Sequence, residues 1–219
     1  MMMKKAFTLI ELIFVIIVIG ILAATILPNT KQNPLQEAAI QVASHLRYTQ
    51  HLAMIDDRYK ANDDEWYKGR WQLVFGKNAN SDDKVAYTIF SDKPNYGGDA
   101  NLDEIALNPQ NQDQVMSGGY TGTVKLDISH KKFLGMKKMN LGITYGITSY
   151  KLQGGCKYGR VSFDFFGRPL TGDSSSMSAP YKASTQRLIS EDCEIVLTGE
   201  SGNISLLIQE ETGYITIQN

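Results

Sequence analysis

Two cysteines are the residues of this 219-residue sequence whose chemistry is easiest to assign. Cys156 and Cys193 are too few for a disulfide scaffold, but they suit a single bridge in an oxidising compartment. If oxidised, the bridge closes a long loop and contributes about 4 kcal/mol through chain entropy. The alternative is a pair of buried, unpaired thiols, and in either case we expect a structural role.

Oxygen-bearing side chains are concentrated in the segment 91–110. Asp99, Asn101 and Asp103 have the i, i+2, i+4 spacing that opens an EF-hand calcium loop. The pattern then fails, because Glu104 stands where glycine is needed and Gln110 where the bidentate glutamate belongs. Calcium is therefore one hypothesis, and a solvated loop with Asx turns is the other. The candidate calcium ligands are Asp92, Asp99, Asn101, Asp103 and Glu104.

Lysines are densest in "HKKFLGMKKM", residues 130–139. Lys131, Lys132, Lys137 and Lys138 surround Phe133 and could contact the phosphates of DNA, which requires a clustered basic surface. The whole chain has a formal net charge of −1, so no global basic field supports such binding. A solvated turn is the alternative.

Motifs for catalysis do not rise above chance. The three histidines have no zinc spacing, and we find no Ser-His-Asp order, phosphate-binding glycine loop or redox pair. We predict a protein that is not an enzyme and, calcium aside, has no cofactor.

The segment Lys4–Pro28 joins a basic start to a long apolar run, broken only by Thr8, Glu11 and Thr25. As a helix, the run from Ala6 to Leu27 reaches about 33 Å, close to the hydrocarbon thickness of a bilayer. The lysines before it predict that the amino end stays cytoplasmic and that the remainder is exported.

A secretory signal peptide is the alternative for this segment. It would release a chain that begins at Thr25, but Leu22 is an imperfect partner for Ala24 in an Ala-x-Ala site. It would also leave Glu11 unexplained, since an ionised group costs roughly 2–3 kcal/mol at the membrane centre and less near an end.

Lys-Lys-Ala, then Phe7-Thr8-Leu9-Ile10-Glu11, then an apolar helix ending at Pro28, resembles the class III signal of type IV pilins and type II secretion pseudopilins. The resemblance implies that a prepilin peptidase cuts between Ala6 and Phe7 and methylates the new amino group. Glu11 and Pro28 then occupy positions where the family carries these residue types. Ala6 departs from the usual glycine; it is the next smallest residue, and we expect it to be processed, with the rate left open.

A carboxylate at position 11 also has a physical reason. Cleavage before Phe7 creates an ammonium group at the membrane boundary, and in a helical stack Glu11 of one chain can meet the amino group of its neighbour. Pairing two half-buried charges relieves both desolvation penalties, so we expect Glu11 to favour assembly and fix axial register. A glutamate that only reaches the lipid headgroups is the alternative. The predicted assembly residues are Phe7, Glu11 and Pro28.

Periodicity predicts the elements after the apolar run. Apolar residues at 35, 38, 39, 42, 46, 52 and 55 follow a 3.6 period and predict an amphipathic helix that ends near Asp56 and docks on a sheet. Alternation predicts strands at 70–76, 85–91 and 123–129, and places Val161, Phe163 and Phe165 on one face of another. Segments 193–199, 203–209 and 213–218 predict an antiparallel meander.

The predicted fold class is α+β, and the resemblance makes it type IV pilin-like. One long amino-terminal helix, half transmembrane and half amphipathic, packs on an antiparallel β-sheet head. The predicted divisions are a leader at 1–6, a transmembrane and assembly helix at 7–28, the amphipathic half of the helix at 29–56, and a periplasmic β-rich head at 57–219.

The carboxyl-terminal strands resemble those of one group within this family. F-x-x-x-G at Phe163 to Gly167, then paired strands ending in TG-x-I-x-I at Thr212 to Ile217, looks like the minor subunits of the GspH/FimT group. The resemblance implies a minor subunit of a type II secretion pseudopilus or type IV pilus. Its partners would be other pilins, prepilin peptidase, the inner membrane, and secreted cargo or DNA.

The same resemblance implies a location and an alternative function. We expect a single pass of the bacterial inner membrane, with the amino terminus cytoplasmic and the head periplasmic, and extraction into the filament on assembly. Some FimT-like minor pilins bind DNA for natural transformation, and this is the alternative.

Overall fold

The computed structural model of the chain describes residues 8–26, 33–181 and 187–218, and it describes the side chains of the first segment as far as Leu22. The chain divides into two units, Met1–Gln32 and Asn33–Asn219. The first unit contains the helix α1, Leu9–Ile26, which has apolar residues at almost every position.

The helix α2 spans Pro34–Ile55 and opens the second unit, which we call the head. Asn33 caps it, because its side-chain oxygen accepts a hydrogen bond from the backbone N–H of Gln36, and a proline in the first turn has no N–H to satisfy. The helix ends with Asp56 as its C-cap, as predicted. The amphipathic half of the predicted helix is therefore α2, which has a capped start of its own, while residues 27–32, where the sequence predicts a kink or a break between Pro28 and Pro34, lie outside the described residues.

The buried face of α2 is built from small and branched side chains, which allow the sheets to approach closely. The predicted stripe is confirmed from Leu35 to Leu46 and continues at Leu52, which is half-buried against the core, whereas Ile55 is 64% exposed at the end of the helix. The buried residues of α2 are Leu35, Ala38, Ala39, Val42, Ala43, Leu46, Thr49 and Ala53.

Antiparallel strands form the remainder of the head. In chain order they are β1 (Trp71–Gly76), β2 (Ala86–Ser91), β3 (Leu107–Asn108), β4 (Asn111–Val115), β5 (Ile147–Gly154), β6 (Arg160–Phe163), β7 (Pro169–Thr171), β8 (Cys193–Gly199), β9 (Gly202–Ile208) and β10 (Ile215–Gln218). A short helix α3, Leu141–Tyr145, precedes β5.

These strands form two four-stranded sheets and a ribbon. The first sheet has the order β2-β1-β6-β7, the second has the order β10-β9-β8-β5, and β3 pairs with β4. Helix α2 packs on both four-stranded sheets. The predicted α+β class and the carboxyl-terminal meander are confirmed, whereas the single sheet that we expected is two.

The first sheet is buried on both of its faces. Leu73 of β1 pairs with Ile89 and Val161, and all three belong to the hydrophobic core. The opposite face mixes polar and apolar side chains, since Gln72 of β1 pairs with Phe90 on one side and with Ser162 on the other. Side chains from outside the sheet bond to the polar groups of this face. Ser117 bonds to Thr88 of β2. Ser174 and Asp173 bond to Ser162 and Arg160 of β6.

The predicted strand at 123–129 is wrong. Thr123 instead caps a short 3-10 helix at Val124–Leu126, because its hydroxyl accepts a hydrogen bond from the N–H of Lys125. Leu126 and Ile128 are both buried, as the alternation indicates, but a turn rather than a strand produces that alternation. Hydroxyl side chains that bond to nearby backbone compete with sheet pairing.

Phe165 does not share the face of Val161 and Phe163. Strand β6 ends at Phe163 because the Asp164 carboxylate accepts hydrogen bonds from the N–H groups of Phe166 and Arg168 and forms a turn. Phe165 is consequently 36% exposed, while Phe163 lies in the core.

One glycine marks a close approach between loops. A Cβ on Gly118 would overlap the backbone carbonyl group of Met139, which no side chain tolerates. Glycine therefore lets the loop after β4 cross directly against the segment that carries Lys137 and Lys138.

Candidate functional site

Glu11 lies in the first turn of α1, where it bonds reciprocally with Thr8. The N–H of Glu11 donates to Thr8 Oγ1 and the N–H of Thr8 donates to Glu11 Oε2, each at 3.4 Å. This is a capping box of the T-x-x-E type, near the upper limit of hydrogen-bond length. Glu11 thus satisfies a backbone donor of its own helix, a role that the sequence analysis did not assign. Ala6, Phe7 and Pro28 lie outside the described residues.

The described side chains of α1 are all exposed. Leu9 and Ile10, for example, are 79% and 75% exposed. Where side chains are described, no helix has both the length and the apolar character needed to cross a membrane. The transmembrane segment at 7–28 stays a prediction.

Cys156 and Cys193 form a disulfide, and neither sulfur is exposed. Cys193 opens β8 and pairs with Gly154, the last residue of β5, so the bridge reinforces two strands that are already neighbours. The predicted bridge is confirmed, and the alternative of two unpaired thiols is not observed.

The candidate calcium ligands lie in two environments. Asp92 and Glu104 are buried, whereas Asp99, Asn101 and Asp103 are exposed. Glu104 Oε2 accepts hydrogen bonds from both the backbone and the side-chain amide of Asn101, at 2.9 and 3.0 Å. Within the described segments, no three His, Cys, Asp or Glu side chains are grouped in a way that could hold a metal ion. Calcium binding stays a prediction.

Asp92 anchors a turn of this acidic loop. Its two oxygens accept the N–H groups of Gly97 and Gly98, at 3.1 and 2.7 Å. Burial raises the pKa of Asp92 to about 6, and the charges of Glu104 and Asp173 add to this effect while the glycine N–H groups oppose it. The loop therefore uses its most deeply buried carboxylate to hold its own backbone.

The four candidate DNA-contacting lysines are exposed, and none forms an ion pair with another described residue. Lys137 and Lys138 line an open groove of about 450 Å³ together with Phe133, whereas Lys131 and Lys132 lie outside its lining. The other walls of the groove are Asn108, Gln110, Gln114, Gly135 and Met136. The lysines thus form two pairs, and the second pair lines this groove.

An arginine and aromatic cluster beside the end of α2 was missed by the sequence analysis. Arg70 lies near the rings of Trp66 and Tyr181, and Arg168 lies near those of Phe166 and Tyr181. The dense "WYKGRW" at 66–71 was the available signal, but its partners lie about 100 residues further along the chain.

Residues 1–27 match the family model described as the prokaryotic N-terminal methylation motif. The chain therefore carries the amino-terminal signal of type IV pilin-like and pseudopilin subunits, as the Phe7 to Glu11 pattern indicates. This motif implies processing by prepilin peptidase and assembly with other pilins, and it points to a structural subunit rather than an enzyme. No curated protein and no solved structure matches the chain.

Proposed function

We propose that this protein is a minor structural subunit of a type II secretion pseudopilus or a type IV pilus. The observation that carries the proposal is the methylation motif at residues 1–27, which precedes a disulfide-bonded α+β head. Prepilin peptidase cuts between Ala6 and Phe7 and methylates the new terminus. The helical segments then pack in the filament, and the head contacts neighbouring subunits or secreted cargo.

The charge pattern and the disulfide support a single pass of the bacterial inner membrane. Lys4 and Lys5 precede the apolar run and favour a cytoplasmic amino end. A structural disulfide forms in an oxidising compartment such as the periplasm, and the Cys156–Cys193 bridge therefore supports a periplasmic head. The subunit leaves the bilayer when it joins the filament.

Glu11 has two candidate roles that a variant can separate. As a charge, it pairs with the methylated amino group of a neighbouring subunit and relieves the cost of burying both ions. As a cap, it accepts the N–H of Thr8. Only the first role contributes directly to contacts between subunits.

The test compares Glu11→Gln with Glu11→Leu. Glutamine keeps an oxygen that completes the capping box but removes the charge, whereas leucine removes both. We expect both variants to be cleaved by prepilin peptidase and both to be lost from sheared filaments, as measured by immunoblot of the filament fraction.

The control is Thr8→Ala, which removes the hydroxyl of the capping box and keeps the charge. It should weaken the start of α1 by about 1 kcal/mol and still enter filaments. If Glu11→Gln were incorporated as well as the unchanged chain, the pairing role of Glu11 would be disproved.

DNA uptake is the second candidate function, and the observation that favours it is the set of four exposed, unpaired lysines. In this function the lysines neutralise phosphates of a DNA duplex. Two of them, Lys137 and Lys138, line the groove, and Lys131 and Lys132 precede these two in the sequence. The affinity would then fall steeply with salt, by about 0.9 logarithmic units per phosphate contact for each tenfold rise in salt concentration.

The test measures binding of the full chain in detergent to duplex DNA over a salt series. Neutralising the four lysines with glutamine should weaken binding and flatten the salt dependence, whereas Lys151→Gln with Lys157→Gln should change little because these exposed lysines lie elsewhere on the chain. Absence of binding at low salt would eliminate DNA uptake as a function of these lysines.

A further inference from the structure

Arg70, the residue before β1, is a buried cation whose hydrogen bonding is incomplete. It is only 3% exposed, and its Nη2 donates to the carbonyl of Pro180 at 3.4 Å. Its Nε and Nη1 are buried and bond to no other residue in the described part of the chain. A buried donor without an acceptor is costly, so its retention requires an explanation.

The carboxylates near Arg70 are those of Asp56, Asp57 and Asp164, and Asp57 accepts a hydrogen bond from the backbone N–H of Tyr59. Arg168 pairs with Asp164 at 2.7 Å, and Asp164 also accepts two backbone N–H groups. Arg58 pairs with Asp56 at 2.6 Å. Burial lowers the pKa of Arg70, and Tyr181 and Asp164 oppose this only in part. Among the described residues, Arg70 therefore has no ion-pair partner.

Aromatic rings hold this guanidinium in place. The Trp66 ring centroid lies 5.4 Å from Arg70 Cζ, and that of Tyr181 lies 5.1 Å away. Cation–π contacts of this kind orient a cation without consuming its N–H groups. Arg70 is thus held in position while two of its nitrogens, Nε and Nη1, have no hydrogen-bond acceptor in the described part of the chain.

Arg70 lines a crevice at the carboxyl end of α2. Its volume is about 10 Å³, which admits one oxygen-sized group. Nearby, Tyr59 packs against Trp66 and is 58% exposed, and Phe166 is 63% exposed. The other residues that line the crevice are Ala53, Asp56, Asp57, Arg58, Trp66, Trp71, Phe163 and Phe165.

We propose that this arginine–aromatic crevice binds the carboxylate of a glutamate or aspartate side chain from a partner protein. One carboxylate oxygen enters the crevice and accepts a hydrogen bond from Arg70, and apolar atoms beside it cover the exposed rings of Tyr59 and Phe166. A carboxylate is favoured over a neutral acceptor because Arg70 has no ion-pair partner among the described residues and charge-assisted bonds are about twice as strong. Arginine and aromatic anchors of this kind dominate binding energy at protein interfaces.

The chain contains two tryptophans, Trp66 and Trp71, and both line the crevice, so tryptophan fluorescence reports on it directly. The probe is the peptide acetyl-Ala-Glu-Ala-amide, titrated into the full chain in detergent, with acetyl-Ala-Gln-Ala-amide as the matched neutral probe. We expect a saturable fluorescence change with the glutamate peptide and none with the glutamine peptide.

Arg70→Gln should weaken binding of the glutamate peptide by about tenfold or more. Arg47→Gln, at an exposed arginine on α2, should bind like the unchanged chain. The comparison of the two peptides uses the unchanged chain, so it decides the matter even if Arg70→Gln fails to fold. Equal responses to the two peptides, no response to either, or full binding by a folded Arg70→Gln would each overturn the proposal.

Discussion

The hydroxyl of Tyr87 connects α2 to the first sheet at the scale of single residues. His45 Nδ1 lies 2.6 Å from this hydroxyl, and the Gln41 amide donates to it at 2.9 Å. Gln41 also donates to the carbonyl of Lys138 and accepts from the hydroxyl of Tyr145. Burial of His45 lowers its pKa to about 4, so the imidazole is neutral in the folded head at neutral pH.

We predict that His45 makes the head less stable in acid. The unfolded chain binds a proton at His45 below pH 6.5, whereas the folded chain does so only near pH 4, so stability is present above 6.5 and is lost as the pH falls toward 4. Urea unfolding between pH 7 and 4.5 should show a shallower loss of stability in His45→Gln than in the unchanged chain.

His51→Gln is the matched control, because His51 is exposed on the same helix. It should keep the pH dependence of the unchanged chain. If His45→Gln also kept that dependence, protonation of His45 would not be what destabilises the head.

At the scale of elements, the parts that follow from local sequence were predicted best. Helix α2 and the meander of β8, β9 and β10 are specified by periodicity that tertiary contacts reinforce. Strand β5 was missed because its side chains alternate poorly between buried and exposed, and it is recruited by pairing with the distant β8. The division into two sheets depends on such long-range pairing, which no local pattern encodes.

The candidate sites also divide into those that a local sequence pattern predicts and those that depend on contacts between distant residues. The cysteine bridge was predictable because two cysteines allow only one intrachain pairing. The reciprocal bonds of Thr8 and Glu11 follow from the T-x-x-E pattern, which is a capping-box signature. The arginine–aromatic crevice was not predictable, since it brings residues 66–71 together with residues 163–165 through the turn at Asp164.

We predict that Leu46→Ala removes about 2–5 kcal/mol from the free energy of unfolding. Leu46 is fully buried in the face of α2 that contacts the sheets, so its loss leaves a cavity. Ile40→Ala is the control on the opposite face, where the side chain is 53% exposed, and should change stability by about 0.5 kcal/mol or less. Similar losses in the two variants, measured by urea unfolding, would contradict the docking of α2.

We predict that replacing both cysteines, Cys156→Ala with Cys193→Ala, lowers the free energy of unfolding by about 4 kcal/mol. The bridge closes a loop with a sequence separation of 37 residues and so restricts the unfolded chain. Under reducing conditions, the unchanged chain should fall to nearly the stability of the double variant. If the unchanged chain without reductant were no more stable than the double variant, the bridge would be dispensable for stability.

At the scale of the whole molecule, the two units differ in how they meet their surroundings. The described side chains of α1 are exposed and largely apolar, whereas the head encloses its own core and bridges its cysteines. An exposed apolar helix of this kind is stabilised when lipid or another apolar surface covers it. The methylation motif at residues 1–27 explains why the chain has an exposed apolar helix, since type IV pilin-like subunits assemble through this segment.

Mass spectrometry of the mature amino terminus tests the central claim most directly. For protein isolated from the membrane or filament fraction, we predict loss of residues 1–6 and an N-methylphenylalanine at Phe7. Ala6→Gly should give the same terminus, because it restores the residue usual in the family. A terminus at Thr25, as after signal-peptide cleavage, or an uncleaved chain that begins at Met1, would contradict the assignment as a processed pilin-like subunit.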